Sequence, residues 1–308
     1  MKLSYRILEV NRMDINIVIT EFKQAMQNKG LTPPNDIISD GIIHRFHING
    51  DKANSKNGWY FLDPIFYRGS FGSWRAATKY SWSFSRKGER NSFGSKYKKH
   101  INDLLLKKKF LQENAAKKAQ RRWNSYPPAL PTHHYYVKKK ISIPGARQNR
   151  NCLVLPIKSC QGQVCSLQYI NEKGEKRFLK DGAIYGNFVP IKGHFLKAET
   201  IYICEGGATG ATLAKEYPNA CIIAACSAGN LKPLALNIRN YNQEAKIVIC
   251  GDEDRLDPNN PGLTFAKEAA IACAGTLILP KWPKDAPLTL SDFNDLYCWL
   301  KEQGGQYE

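Results

Sequence analysis

The sequence predicts an α/β protein: a C-terminal parallel sheet flanked by helices, preceded by a basic α+β region and a small N-terminal β-rich module. Three observations predict it. Beyond residue 200, short apolar runs at 200–204 (TIYIC), 220–226 (ACIIAAC), 246–250 (KIVIC) and 276–280 (TLILP) alternate with helical stretches at 209–217, 230–240 and 263–274. Strands that are apolar throughout and separated by helices belong to a parallel sheet covered on both faces. Before residue 200, alternating β-patterns are broken by one long basic helical stretch. Finally, charge is lopsided: residues 1–150 carry 29 Lys and Arg against 10 Asp and Glu, and residues 151–308 carry 16 against 17.

Composition sets the frame for these elements. With 308 residues and 43% hydrophobic content, the chain can bury a sizeable core and form about two domains of ordinary size. No run of 18 apolar residues is present, so a transmembrane helix is not expected. The first residues, Met1 to Arg6, lack the apolar stretch and small-residue cleavage site of a secretory leader. All nine cysteines lie at or after Cys152, with no CxxC pair, which predicts reduced thiols and a cytoplasmic location. Cys204, Cys221, Cys226 and Cys250 stand in apolar runs and read as small core residues. The cysteine-free N-terminal half excludes a four-cysteine zinc ribbon there, and His44 and His47 read as structural.

In chain order, Ile15, Val18, Ile19, Phe22 and Met26 predict a helix over 14–29, stopped by Gly30 and Pro33-Pro34. Residues 42–48 alternate as a strand does, Asn49-Gly50-Asp51 is a turn, and Gly58 to Leu62 is a second strand. The first module is placed at 14–95. Residues 96–132 form a basic helical linker, ended by Pro127, Pro128 and Pro131. Residues 133–198 are β-rich, with strands at 152–157 and 164–170, a tight connection at Gln161-Gly162, a turn at Glu172-Lys173-Gly174 and a strand at 177–179. The parallel-sheet domain is placed at 199–308.

The excess positive charge is densest over 79–150, with 19 basic residues against 3 acidic. Such a segment attracts a polyanion, and contacts by Lys and Arg to phosphates release counterions. Interleaved aromatics, Tyr80, Trp82, Phe84, Phe93, Tyr97 and Trp123, suit stacking on the bases of a single strand. Candidate DNA-binding residues are Lys107, Lys108, Lys109, Lys117, Lys118, Arg121, Arg122, Trp123, Lys138, Lys139 and Lys140.

The acids fall where an α/β sheet gathers its functional groups, beyond the carboxyl ends of strands. Glu205 follows the first apolar strand and precedes Gly206-Gly207; Gly251-Asp252-Glu253-Asp254 follows the third. Glu205, Asp252 and Asp254 are therefore expected on one edge. Packed carboxylates repel one another unless a cation joins them, and hard oxygen donors select Mg²⁺ or Mn²⁺. Asp292 or Asp295 either joins that site or favours the start of a last helix capped by Ser291. Gly206 and Gly207 permit close approach of backbone to a phosphate. Lys267 and Arg255 either face phosphates or lie on the surface. Neither GxGxxG nor a Walker loop is present.

Ile203-Cys204-Glu205-Gly206-Gly207-Ala208-Thr209-Gly210-Ala211-Thr212-Leu213, with Gly251-Asp252-Glu253-Asp254 downstream, resembles the Toprim domain. That is the catalytic fold of bacterial-type primases, topoisomerases and some nucleases, and the resemblance covers about 198–300. Leu155-Pro156-Ile157, Leu167 to Ile170, Gly174, Lys176-Arg177-Phe178-Leu179 and Gly186 look like the basic region before Toprim in plasmid and satellite-phage primases. Asn259 to Gly262, Asp292 to Leu296, Gly41, Arg45-Phe46, Gly58-Trp59-Tyr60 and Gly69 to Arg75 look like that group too. His133 to Lys140 looks like the opening of its polymerase region.

The resemblance implies a DNA primase of a mobile element: RNA primers made on single-stranded DNA from nucleoside triphosphates. It implies that Glu205 is a metal ligand or general acid–base, that Asp252 and Asp254, with Asp292 as a further candidate, hold Mg²⁺ or Mn²⁺, and that Arg177 and Lys180 contact nucleotide or template. Gly206, Gly207 and Lys267 join them as nucleotide-binding candidates. The group often carries a fused helicase; this sequence lacks a Walker loop, so the expectation is a stand-alone primase, with a replicative helicase in trans left open as a partner. Two other readings stand beside it: a Toprim nuclease, in which the same acids activate water, and a non-catalytic single-strand-binding protein resting on the basic half alone.

Overall fold

The computed structural model describes residues 15–84 and 94–304, with side chains of the second stretch from residue 99 onward. Asp14, Phe93, the Tyr97 side chain and residues 1–13 lie outside the described residues. The chain divides into two compact units, parted between Ile101 and Asn102.

In the first unit, helix α1 (Ile15–Gln27) precedes four strands, β1 (His44–Phe46), β2 (Gly58–Leu62), β3 (Arg68–Ser73) and β4 (Thr78–Ser83). They pair in sequence order as an antiparallel meander. The helical spacing of Val18, Phe22 and Met26 delivers one buried stripe to the sheet. Phe22 meets Tyr60, Phe71 and Trp82 edge to face, with ring centroids 6.2, 5.6 and 5.1 Å away. Sequence reading misses β3 and β4 because of their glycines and serines. Gly69 is required by packing: a Cβ there would collide with the Phe22 ring. The two histidines are structural, His44 on Asp40 and His47 on the Ser55 carbonyl.

Helix α2 (Gly94–Ser125) starts before the expected helical linker and stops at Ser125, short of the linker's expected end at 132. In the second unit it is more than a linker. Ala119 is fully buried with Val154, Leu167 and Leu179, and Trp123 packs beside them. Residues 134–139 form a short helix, α3 (His134–Lys139), within a stretch expected to be β-rich. Then β5 (Arg147–Asn149), β6 (Cys152–Lys158), β7 (Val164–Asn171) and β8 (Lys176–Phe178) make a second antiparallel meander.

The third sheet begins with β9 (Val189–Lys192), and the rest follows as strand and helix in turn. These are β10 (Thr200–Cys204), α4 (Gly207–Glu216), β11 (Cys221–Ala224), α5 (Leu231–Tyr241), β12 (Lys246–Cys250), α6 (Pro261–Ala272), β13 (Thr276–Ile278) and α7 (Phe293–Glu302). The sheet order is β13-β12-β10-β11-β9. The first four strands are parallel, as their unbroken apolar runs predict, and β9 closes the edge antiparallel. One core joins Tyr135, Leu153, Leu155 and Ile170 to Ile191, Cys204, Ala208 and Phe293. The segments 133–198 and 199–308 therefore lie within one compact unit. Among the described residues, no helix is long and apolar enough to cross a membrane.

Candidate active site

Parallel strands aim their carboxyl ends at one edge. Glu205 directly follows β10, and Asp252 stands two residues beyond its neighbour β12. Asp292 arrives from the far end of the chain as the cap of α7. Its Oδ1 accepts the Asp295 N–H at 2.8 Å, so Asp292, and not Ser291, is the capping residue. All three acids are half-buried, and Asp292 lines a cleft. Burial raises the pKa of Glu205, of Asp252 and of Asp292, and for Asp252 the rise is large. Repulsion from Glu205 and Asp292 adds to the rise at Asp252. Asp252 Oδ1 is buried with no hydrogen-bond partner.

Asp254 is differently engaged. Its backbone N–H donates to Asn260 Oδ1, and its Oδ2 accepts the Gly262 N–H at 3.0 Å, at the start of α6. It still raises the pKa of Glu205 by charge. Glu253 points elsewhere, accepting from the Trp282 indole at 2.8 Å.

The countercharge is a residue that sequence reasoning passes over. Lys176, at the start of β8, stands among the acids. Burial opposes its ammonium, but Tyr135, Glu205, Asp292 and Asp252 outweigh burial and hold its pKa above the usual lysine value. The side chain is exposed to solvent, so the surrounding charges decide its ionisation. Neighbours on a strand face opposite ways. Arg177, the expected candidate, stands over the Tyr169 ring at 6.0 Å. Alternation was the available signal, but in a three-residue strand it does not say which face is inward.

The other candidates scatter. Lys180 is exposed beyond β8, and Lys267 is exposed on α6. Lys107, Lys108, Lys109, Lys117, Lys118 and Arg121 are exposed along α2. Arg122 donates to the Tyr169 hydroxyl at 3.3 Å, and the Arg147 guanidinium covers the Trp123 ring at 4.8 Å. Lys138 and Lys139 line the cleft, and Lys139 pairs with Asp295 at 2.8 Å. Lys140 turns to α7, reaching the Cys298 carbonyl and Glu302. Asn294, fully buried, donates to the Lys139 carbonyl and to Thr212, fastening α3, α4 and α7 together.

The cleft encloses about 230 Å³. A hollow of about 260 Å³ between Trp123, Lys158, Pro190 and Lys192 has no carboxylate in its lining, whereas the smaller space is lined by Asp292 and by Gly206, the neighbour of Glu205. Gly206 and Gly207 open α4 there. A family model described as a Toprim domain matches residues 200–300. The chain carries a Toprim domain. Its Glu205 and Asp252-Glu253-Asp254 therefore stand in a Toprim sheet, at the carboxyl ends of adjacent strands.

Over 301 residues, or 88% of this chain, the sequence is 28% identical to a DNA primase TraC of Escherichia coli, of which it covers 20%. A second DNA primase TraC of Escherichia coli is 29% identical over 294 residues, 87% of this chain and 27% of that protein. The chain thus spans only about a quarter or less of the length of these relatives. The zinc-binding and RNA polymerase domains of the Aquifex aeolicus primase cover 95% of this chain and 80% of that one, at 14% identity and a TM-score of 0.41. That likeness is too loose to bear on function.

Toprim domains generally use a divalent metal. The donors here suit one in chemistry: they are carboxylate oxygens, and Asp252 Oδ1 is buried without a partner. As placed, no three of the described His, Cys, Asp and Glu residues close around a single point. The acids form a spread cluster that perturbs itself by charge.

Proposed function

We propose that this chain is a primase catalytic module that makes short RNA primers on single-stranded DNA, serving replication of a mobile element. The observation that carries the reading is the gathering of Glu205, Asp252 and Asp292, whose charges act on one another and on Lys176, at the carboxyl edge of a Toprim sheet. In the reaction a 3′-hydroxyl attacks the α-phosphorus of a nucleoside triphosphate. A new P–O bond forms, and the bond to pyrophosphate breaks. Glu205, Asp252 and Asp254, with Asp292 beside them, would hold Mg²⁺ or Mn²⁺. Such an ion, when bound, neutralises phosphate charge and favours ionisation of the attacking hydroxyl.

The remaining work falls to the chain itself. Glu205, with its raised pKa, is suited to take the proton of the attacking hydroxyl. Lys176 faces the charge that develops on the phosphates. Arg177, Lys180 and Lys267, with Gly206 and Gly207, contact nucleotide or template. The exposed lysines of α2, with Arg121, Arg122 and Trp123, hold the single strand, and Lys138 to Lys140 extend that surface. The parts act as a module at 14–95, a basic helical linker over 96–132, a basic region over 133–198 and the catalytic domain over 199–308.

The test is synthesis. The protein is incubated with mixed-sequence single-stranded DNA, Mg²⁺ or Mn²⁺ and labelled nucleoside triphosphates, beside an Asp252→Ala/Asp254→Ala variant. New oligoribonucleotides from the wild type alone uphold the reading. Shortened DNA without triphosphates points instead to a nuclease, and binding with neither product to a single-strand-binding protein.

A further inference from the structure

Asp252 and Asp292 come from distant parts of the chain, and residues outside the acid cluster fix how they stand to each other. Residues 279–292 run from β13 to α7 without helix or strand. A connection of that length inside a compact fold is usually functional. Its far end delivers Asp292. There the Glu253 N–H donates to the Ser291 carbonyl at 2.7 Å. Glu253 follows Asp252 and Ser291 precedes Asp292, so one backbone bond joins the neighbours of two acids.

Three side chains brace that bond. Glu253 Oε2 accepts the Trp282 indole N–H at 2.8 Å. The Arg255 guanidinium lies over the same indole, 4.1 Å from the ring centroid. Its Nε and Nη2 donate to the Leu290 carbonyl at 3.4 and 3.3 Å, and Nη2 also donates to the Pro287 carbonyl. Those two carbonyls belong to one turn, in which the Leu290 N–H donates to Pro287. Arg255, a candidate for facing phosphates, is thus turned onto the connection. Pro280, Pro283 and Pro287 fix φ at three of its positions. Both ends of the acid loop, Glu253 and Arg255, therefore grip the segment that carries Asp292.

We propose that Glu253, Trp282 and Arg255 form a clasp that positions Asp252 and Asp292 for one divalent ion, without touching the ion themselves. They are positioning residues. The proposal rests on the reading above, in which these acids hold Mg²⁺ or Mn²⁺. Small divalent ions demand near-ideal oxygen geometry, so affinity depends on how firmly the donors are placed. Asp252 Oδ1, buried without a partner, is an oxygen that such an ion would satisfy. Releasing the clasp lets the 279–292 segment carry Asp292 away from it.

The experiment is equilibrium binding of Mn²⁺ to the intact chain, without DNA or nucleotide, read by electron paramagnetic resonance of the free ion. The Asp252→Ala/Asp254→Ala variant supplies the background. Trp282→Phe keeps a ring beneath Arg255 and removes the N–H donor. Glu253→Ala and Glu253→Gln lose the same charge, but only the Gln side chain can still accept from the indole. We expect Trp282→Phe and Glu253→Ala each to weaken Mn²⁺ binding about tenfold, with Glu253→Gln within about threefold of wild type. Trp282→Phe/Glu253→Ala should bind no more weakly than Glu253→Ala alone, because both changes remove one contact. Denaturation midpoints are taken on the same preparations. Losses confined to variants partly unfolded at the assay temperature, or shared in full by Glu253→Gln, overturn the clasp. So does equal binding by wild type, Trp282→Phe and Glu253→Ala, or a wild type no better than the background. A wild type that binds in the expected pattern but makes no primers upholds the clasp and sinks the primase reading. A wild type that makes primers, while Trp282→Phe and Glu253→Ala bind as it does, sinks the clasp alone.

Discussion

Asp63 in the first unit and Asp252 in the second are both carboxylates drawn into protein, and the fold treats them in opposite ways. Asp63 is 1% exposed, yet its Oδ1 accepts the N–H groups of Ile65 and Phe66 at 2.8 and 2.9 Å. Its Oδ2 meets His100 Nε2 at 2.8 Å. Every demand of that carboxylate is met, as expected of a structural group. Asp252 has an oxygen with no partner and three acids, Glu205, Asp292 and Asp254, pressing on it. The contrast between these two acids teaches where a carboxylate is kept under strain: at the carboxyl edge of the Toprim sheet, where chemistry needs it, while the Asp63 carboxylate is fully satisfied.

The largest expected effect sharpens the contrast from the cleft side. Glu205→Gln should lower primer synthesis at least about a hundredfold, since it removes a group acting at the reacting atoms. Affinity for single-stranded DNA should stay within a factor of about two, because the basic α2 face lies elsewhere in sequence and structure. Filter binding and synthesis on the same preparation check both halves. Comparable losses of binding and synthesis would break the division.

Asp63→Ala should act the other way. It strands two backbone donors and His100, and should destabilise the first unit by about 1–3 kcal/mol in denaturant unfolding. A neutral outcome would mean that the hydrogen bonds of Asp63 contribute nothing net.

A pH series separates the units next. Burial, then neighbouring charge, holds the folded pKa of Asp252 well above its unfolded value; burial does the same for Glu205 and Asp292. Between the two values the folded protein carries more protons than the unfolded one. The contribution of these acids to stability therefore falls as pH rises from the ordinary carboxylate range, about 4, to their raised values. Synthesis needs them ionised and rises over that window. Unfolding and initial rates measured at the same pH values test this; stability and rate climbing together would contradict it.

The smallest effect is electrostatic and distant. Reversing the charge of Lys107, Lys108 and Lys109 should weaken DNA binding and lower its salt slope by about one for every phosphate no longer neutralised. The Toprim acids should retain their chemistry on saturating template. An unchanged slope would remove α2 from the DNA-binding surface.

Much of the second unit is legible in its sequence. Runs such as Lys246–Cys250 are apolar at every buried position, and a strand covered on both faces leaves that mark. Glu205 and Asp252 could be placed because residues beyond parallel strands share an edge. Legibility fails where local sequence is neutral and packing decides. Gly69 and Gly72 look like punctuation, but they sit inside β3, where Phe22 and the backbone of Thr78 come too close for a side chain. β9 carries Pro190 and pairs with β11 across a bulge, so neither propensity nor spacing reveals it as a sheet edge. Lys176 and Arg177 are alike in the sequence and differ only in the face each presents. Cys226, expected in the core, is half-buried at φ +70°, beyond the end of its strand.

The most direct test is Asp252→Asn, measured for unfolding and synthesis on one preparation at neutral pH. Removing a crowded charge while keeping the shape should raise the denaturation midpoint and reduce synthesis to background. A variant that is less stable than wild type, or one that still makes primers, would contradict the claim that this acid is held at a cost in stability for its chemistry.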